Sequence, residues 1–215
     1  MHPKPDPDRQ RVGTFAALRV KNAGMSDFDF RSLARSHFPL LVGWLAQPHV
    51  ARWWAGDSSL VALEADYGGS IDGTEPSDVF IACRDGVPLG LVQRYRLDAY
   101  PNTLRELEPI ISVPTGAASI DYLIGPAEAL GRGWGTAMIQ AFTERLWHDD
   151  PQASAVIVPV HVANRAAWRA LERAGYARIA SGLLQPDNPA DDRRHYLYRI
   201  DPPAWHGMFN FHDTT

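Results

Sequence analysis

IDYLIGPAEALGRGWGTAMIQAFTERL, residues Ile120 to Leu146, sets three glycines at alternate positions, Gly131, Gly133 and Gly135, directly ahead of an amphipathic run. A helix N-terminus offers N–H groups without intrahelical partners and a partial positive charge, so it suits an anion. Side chains on the approaching loop would screen those donors, whereas glycine leaves them open and permits a positive φ. The spacing therefore predicts an anion-binding loop that opens a helix, with Trp134, Met138, Ala141, Phe142 and Arg145 on one face. Neither common nucleotide motif matches. A dinucleotide fold places its glycines after the first strand with an acidic residue about 20 positions on. Here the loop lies past mid-chain, and no Gly-Lys-Ser/Thr ending follows it.

Around this loop the chain alternates strand and helix signals. ASIDYLIG precedes it as a strand, and SAVIVPVHV follows its helix as a nearly all-apolar run, the pattern of a strand covered on both faces. NRAAWRALERAGY reads as a helix with Asn164 as N-cap and Gly175 as its stop. ARIASGLL and RHYLYRI form a closing pair of strands. Upstream, DVFIACRDGVPLGLVQRYRL places two alternating apolar runs around Asp85-Gly86, the signature of a tight β-hairpin. DAYPNTLRELEPIISVPTG reads as an acidic loop. In SDFDFRSLARSHFPLLVGWLAQPHVARWW, the spacing of Leu33, Phe38, Leu41 and Trp44 predicts a helix ending near Gln47-Pro48. A second helical stretch, SSLVALEADYGG, closes at Gly68-Gly69. The order indicates an α/β domain with a mixed sheet.

The composition narrows the function. A chain of 215 residues with 45% hydrophobic content suits one domain. Residues 1–24 read as a polar, Pro-rich leader, 25–200 as the domain and 201–215 as a tail carrying Trp205, Phe209 and Phe211. A formal charge of -4 without basic clusters gives no footprint for nucleic acid. Cys83 is the only cysteine, so an internal disulfide and a cysteine-based metal site are excluded. No metal is expected. No run reaches the ~18 apolar residues of a membrane span, and the N-terminus lacks the core of a secretion signal. The expectation is a cytoplasmic protein without membrane or nucleic-acid partners, monomeric or homodimeric.

LGRGWGTAMIQAF resembles the pyrophosphate loop of the acetyl-CoA-dependent N-acetyltransferases of the GNAT superfamily, written Gln/Arg-x-x-Gly-x-Gly/Ala. NRAAWRALERAGY is similar to their next helix, Asn-x-x-Ala with a Glu-x-x-Gly-Phe/Tyr ending. The resemblance implies an α/β (α+β, GNAT-like) fold with a central mixed, mostly antiparallel sheet flanked by helices. Two splayed strands would receive acetyl-CoA. It further implies that Gly131, Arg132, Gly133, Trp134, Gly135 and Thr136 hold the pyrophosphate through their amides. Tyr122, Leu123 and Ile124 would pair with the pantetheine arm, and Asn164 and Trp168 would line the far side. Leu130 stands where Gln or Arg is usual.

QPHVARWWAGD resembles the His-x-x-x-Trp-Trp-x-Gly segment of the aminoglycoside 6'-N-acetyltransferases, and the similarity extends over roughly residues 28–200. By that resemblance Trp53 or Trp54 forms an aromatic wall for the acceptor, and Asp121 contacts the amine. The chemistry agrees: an amine must be neutral to attack a thioester, and a carboxylate can bind the ammonium and then accept its proton. An amide near Ile124 could stabilise the developing oxyanion. Asp98, Glu106 and Glu108, with Glu64 and Asp66, are candidates for binding a polycationic acceptor. Two departures stand out. Leu171 occupies the position of a Tyr that protonates the CoA thiolate in relatives, and Pro159 replaces an acidic residue, leaving nearby His161 as another base. The expected function is transfer of acetyl from acetyl-CoA to a primary amine, most simply the 6'-amine of an aminoglycoside, directly in a ternary complex. Acylation of a lysine-type or siderophore-precursor amine, or non-catalytic acyl-CoA sensing, are the other readings.

Overall fold

The computed structural model describes residues 27–54, 56–186 and 188–204. Of the expected three-part organisation, the leader at 1–24 and most of the tail lie outside them. A seven-stranded mixed sheet runs in the order β1-β2-β3-β4-β5-β7-β6. Its strands are β1 (Phe28–Ser32), β2 (Ser77–Arg84), β3 (Val87–Arg96), β4 (Ala118–Ile124), β5 (Val156–His161), β6 (Ala177–Leu183) and β7 (Arg194–Ile200). Every neighbouring pair is antiparallel except β4 with β5. Asp85 (φ 51°) and Gly86 (φ 80°) both take positive φ at the β2–β3 turn, as a tight hairpin requires.

Helices cover both faces. One face carries α5 (Trp134–Asp149) and α6 (Arg165–Arg173), which bury Met138, Phe142 and Leu171 against Ile120, Val158 and Tyr198. The other carries α1 (Phe38–Leu45), the short α2 (Pro48–Ala51) and α3 (Leu60–Ile71), packed through Leu41, Trp44, Leu63 and Tyr67 on Ile81, Leu91 and Leu123. A third cluster lies beside it under α4 (Pro101–Leu107), joining Leu97 and Leu107 to Ile157 and Leu197. Trp44 lies so close to Gly125, just after β4, that a Cβ there would fall 2.1 Å from its ring. That contact seats α1 on the end of β4.

Three expectations are corrected. Residues 28–32 form an edge strand rather than the start of a helix, because Phe28 to Ser32 pair with Arg84 to Phe80 across the sheet. Helix α1 starts only at Phe38, with Pro39 in its first turn, where a missing N–H costs nothing. The acidic stretch after β3 contains α4, opened by Pro101 at its first position. Helix α3 runs through Gly68-Gly69 to Ile71, ahead of Gly73 at φ 70°. Its N-cap is Ser59, whose hydroxyl accepts from the Ala62 amide at 3.2 Å.

Candidate functional site

Strands β4 and β5 run the same way, yet their paired register is the single position Ala118 opposite Val156. Beyond it the ladder stops, and a wedge opens beside residues 119–124. Strand β4 leads from the open end of the wedge into the glycine loop, and β5 leads into the N-terminus of α6. Gly131 (φ 71°) and Gly133 (φ 77°) are left-handed, and a Cβ at either would meet no other atom within 4 Å. Internal packing therefore does not demand glycine there; the backbone conformation and an unobstructed approach do. Gly133 caps α5 without a side chain, and no acidic residue sits in the first turn. The amides of Trp134, Gly135 and Thr136 accordingly have no intrahelical acceptors, the first bond of α5 running from the Ala137 amide to the Gly133 carbonyl. This backbone fits a pyrophosphate.

Around the loop, Trp134 has the guanidinium of Arg132 at 5.2 Å and that of Arg84, from the hairpin, at 4.8 Å. These three residues line a cavity of about 550 Å³. Arg84 is a cation at the loop that the local sequence did not reveal, since it arrives from β2. Leu130 is exposed. Across the wedge Asn164 caps α6, its Oδ1 accepting from the Ala167 amide at 3.2 Å, and Trp168 donates from Nε1 to the Val162 carbonyl at 3.2 Å. The Tyr122 hydroxyl donates to the Ala167 carbonyl at 3.0 Å, bracing β4 against α6, and burial pushes its pKa well up. Leu123 is buried under α1 and α3.

Asp121 projects to the opposite face from Ile120 and Tyr122, whose side chains pack against α5 and α6. On β3, Gln93 lies directly opposite it. The Tyr67 hydroxyl is within electrostatic range of Asp121 and accepts a hydrogen bond from the Trp54 indole; burial raises its pKa to about 12. Asp121 thus sits in the floor between two roofs, the α1–α3 cluster and the α4 cluster. The structure also separates the two tryptophans. Trp54 packs into the α1–α3 cluster, whereas Trp53 lies over β5 with its ring 5.8 Å from that of His161. His49, from the same segment, donates from Nε2 to the Ile124 carbonyl at 2.9 Å.

The acidic residues divide. Glu106 accepts from the Gln185 amide at 2.9 Å, tying α4 to the β6–β7 connection, and Glu108 is exposed at the end of α4. Asp98 turns instead to Arg96 at 3.8 Å, which is bonded to Asp150 beyond the C-terminal end of α5; it is not gathered with Asp121. Glu64 is held by Arg35, whose hydrogen bonds lower its pKa, so it serves the α3 surface. His161 is fully engaged: Nδ1 accepts from the Ala163 amide at 3.2 Å, and Nε2 donates to the Asp192 carbonyl at 3.0 Å. With both ring nitrogens occupied it is poorly placed as a base. Leu171 is buried in the α5–α6 core. Among the described residues no cluster of three or more His, Cys, Asp or Glu could hold a metal, and no helix is long and apolar enough to cross a membrane.

Comparison with known proteins places this geometry. The chain is 29% identical over 163 residues to an aminoglycoside N(6')-acetyltransferase type 1 of Klebsiella pneumoniae, covering 74% of this chain and 78% of that one. It is 33% identical over 75 residues to a kanamycin resistance protein of Rhizobium radiobacter, covering 35% of this chain and 68% of that one. Its fold superposes with a TM-score of 0.68, at 26% identity, on a crystal structure of the aminoglycoside acetyltransferase AAC(6')-Ib in complex with coenzyme A and kanamycin, covering 83% and 96% of the two chains. The family model described as an acetyltransferase (GNAT) domain matches residues 34–184, well over half of the chain, and the protein belongs to that family.

Proposed function

We propose that this protein transfers acetyl from acetyl-CoA to a primary amine of an aminoglycoside, at the 6'-position, by direct attack in a ternary complex. One observation carries the reading: the wedge between β4 and β5 opens at one end onto the bare-backbone loop and, on one face of β4, onto Asp121 among aromatic side chains. The relatives named for aminoglycoside acetylation support the acceptor class.

The amides of residues 131–136 bind the pyrophosphate, with Arg132 and Trp134 beside it. The edge of Tyr122, Leu123 and Ile124 that faces away from β3 aligns the pantetheine arm, and Asn164 and Trp168 border it from α6. Asp121 binds the acceptor ammonium and takes its proton, directly or through water, so that a neutral amine faces the thioester. An amide near Ile124 stabilises the negative charge on the thioester oxygen. Trp53, outside the apolar core, forms the aromatic wall, Trp54 backs it from the α1–α3 cluster, and Glu106 and Glu108 attract further amines. With Leu171 in a dry core, the departing thiolate, a weak base, takes its proton from solvent.

The test is thiol release from acetyl-CoA with kanamycin, ribostamycin, an Nα-blocked lysine and a simple diamine, followed by locating the acetyl group on the product. Turnover of the aminoglycosides with the 6'-amide as product is expected. Preferential turnover of the lysine derivative, or none with any amine, contradicts the assignment.

A further inference from the structure

Trp53 takes no part in the three apolar clusters, so something other than core packing must fix its ring. The structure provides it. Arg52, the residue just past α2, lays its guanidinium 4.1 Å over the Trp53 ring. The same guanidinium donates from Nη1 and Nη2 to the two carboxylate oxygens of Asp191, at 2.7 and 2.5 Å. This is the two-pronged geometry in which an arginine is held in orientation as well as in place. Asp191 lies 139 residues away in the β6–β7 connection, and its side chain is only 11% exposed although Arg52 itself is open to solvent. The Asp191 amide donates to the Asn188 carbonyl at 2.9 Å, which fixes the carboxylate's own backbone. The next residue, Asp192, accepts from His161, whose ring borders Trp53 on its β5 side.

We propose that Arg52 and Asp191 are positioning residues for the acceptor: their ion pair holds Trp53 as a fixed wall of the acceptor cleft and anchors the β6–β7 connection against that wall. The proposal rests on the acceptor reading given above. The ion pair neutralises Asp191, so its carboxylate acts through Arg52 rather than on the acceptor's amines. A wall already fixed in place spares the acceptor the cost of ordering it on binding, so the pair acts on acceptor affinity and leaves the chemistry at Asp121 unchanged. Glycine-loop binding of acetyl-CoA, at the end of β4 and the start of α5, does not involve this contact.

The test uses the full chain with Arg52→Ala, Asp191→Asn, the corresponding double variant and Arg52→Lys, assayed with kanamycin and acetyl-CoA. Each single variant should raise the acceptor KM about tenfold while kcat stays within about twofold. CoA affinity by calorimetry should be unchanged. The double variant should be no worse than either single, because both remove one contact. Arg52→Lys should fall between, since it keeps charge but loses the fork and the flat stacking face. Hydrogen exchange across residues 49–54 should quicken in Arg52→Ala without any acceptor present. Unchanged acceptor KM, additive losses, or a joint fall in kcat and CoA affinity would overturn the proposal. A wild type that acetylates no aminoglycoside overturns the functional reading and this proposal with it. A wild type that does, with unaltered variants, overturns the positioning role alone.

Discussion

The imidazole of His49 donates to the carbonyl of Ile124 at 2.9 Å, joining the short helix that leads into the tryptophan pair to the last residue of β4. The bond bridges 75 residues of sequence and sets the segment leading into Trp53 and Trp54 against the open strand. Replacing His49 by Ala leaves that carbonyl without its partner. A loss of about 1 kcal/mol is expected, seen as a fall in Tm of about 2–4 °C. The acceptor KM should rise as well, because α2 loses its tether. Calorimetric melting and steady-state kinetics check both parts.

The two tryptophans should behave differently on substitution. Trp54 packs with the α1–α3 core and donates to the buried Tyr67 hydroxyl, so Trp54→Ala should cost about 3 kcal/mol of stability. Trp53 touches Arg52 and His161 outside that core. Trp53→Ala should keep Tm nearly constant and raise the acceptor KM. Denaturant unfolding of the two variants side by side separates them.

Gly135 offers a clean test of the loop because it is helical rather than left-handed, and a Cβ there would meet Ile124 at 3.6 Å, an ordinary contact. Gly135→Val should therefore fold normally. Its branched side chain intrudes on the anion's approach to the first-turn amides, and acetyl-CoA affinity should fall at least about tenfold. Titration calorimetry measures this directly.

What was legible in the sequence shares a physical trait: it is decided by one or two residues. Asp85-Gly86 needs two positive φ values, Gly131 and Gly133 open a helix, and Asn164 caps one; each does so in the structure. Strand β1 was hidden because its pairing with β2 is non-local and Leu33 continued a helical spacing. The seven residues of α4 were hidden because acidic composition outweighed the starting signal of Pro101. The proposed acceptor cleft was legible only in part. Asp121 and the tryptophan pair stood out locally, whereas Tyr67, Gln93 and Asp191 reach it through tertiary packing alone. The pairing of Asp98 with Arg96, 3.8 Å away, was likewise not legible from the local sequence.

Arg35 binds Glu64 and Asp72 together, and its hydrogen bonds lower the pKa of both carboxylates. Groups with depressed folded-state pKa values stabilise the fold above their unfolded values and lose that contribution as pH falls through the folded ones. The Tm gap between wild type and Arg35→Ala should thus be full at neutral pH and close below about pH 4. All three side chains are solvent-exposed, so the gap should be small and shrink in high salt. Thermal scans across pH and ionic strength test this.

The measurement that bears most directly on the mechanism is the pH–rate profile of Asp121→Asn with an aminoglycoside acceptor. The substitution keeps the side chain's shape and removes both its charge and its capacity to take a proton. If Asp121 is the base, kcat at neutral pH should fall by about 100-fold or more. The deficit should shrink as pH rises and the amine becomes neutral without help. Full activity with an unchanged pH profile would contradict the account and make Asp121 a structural residue of β4.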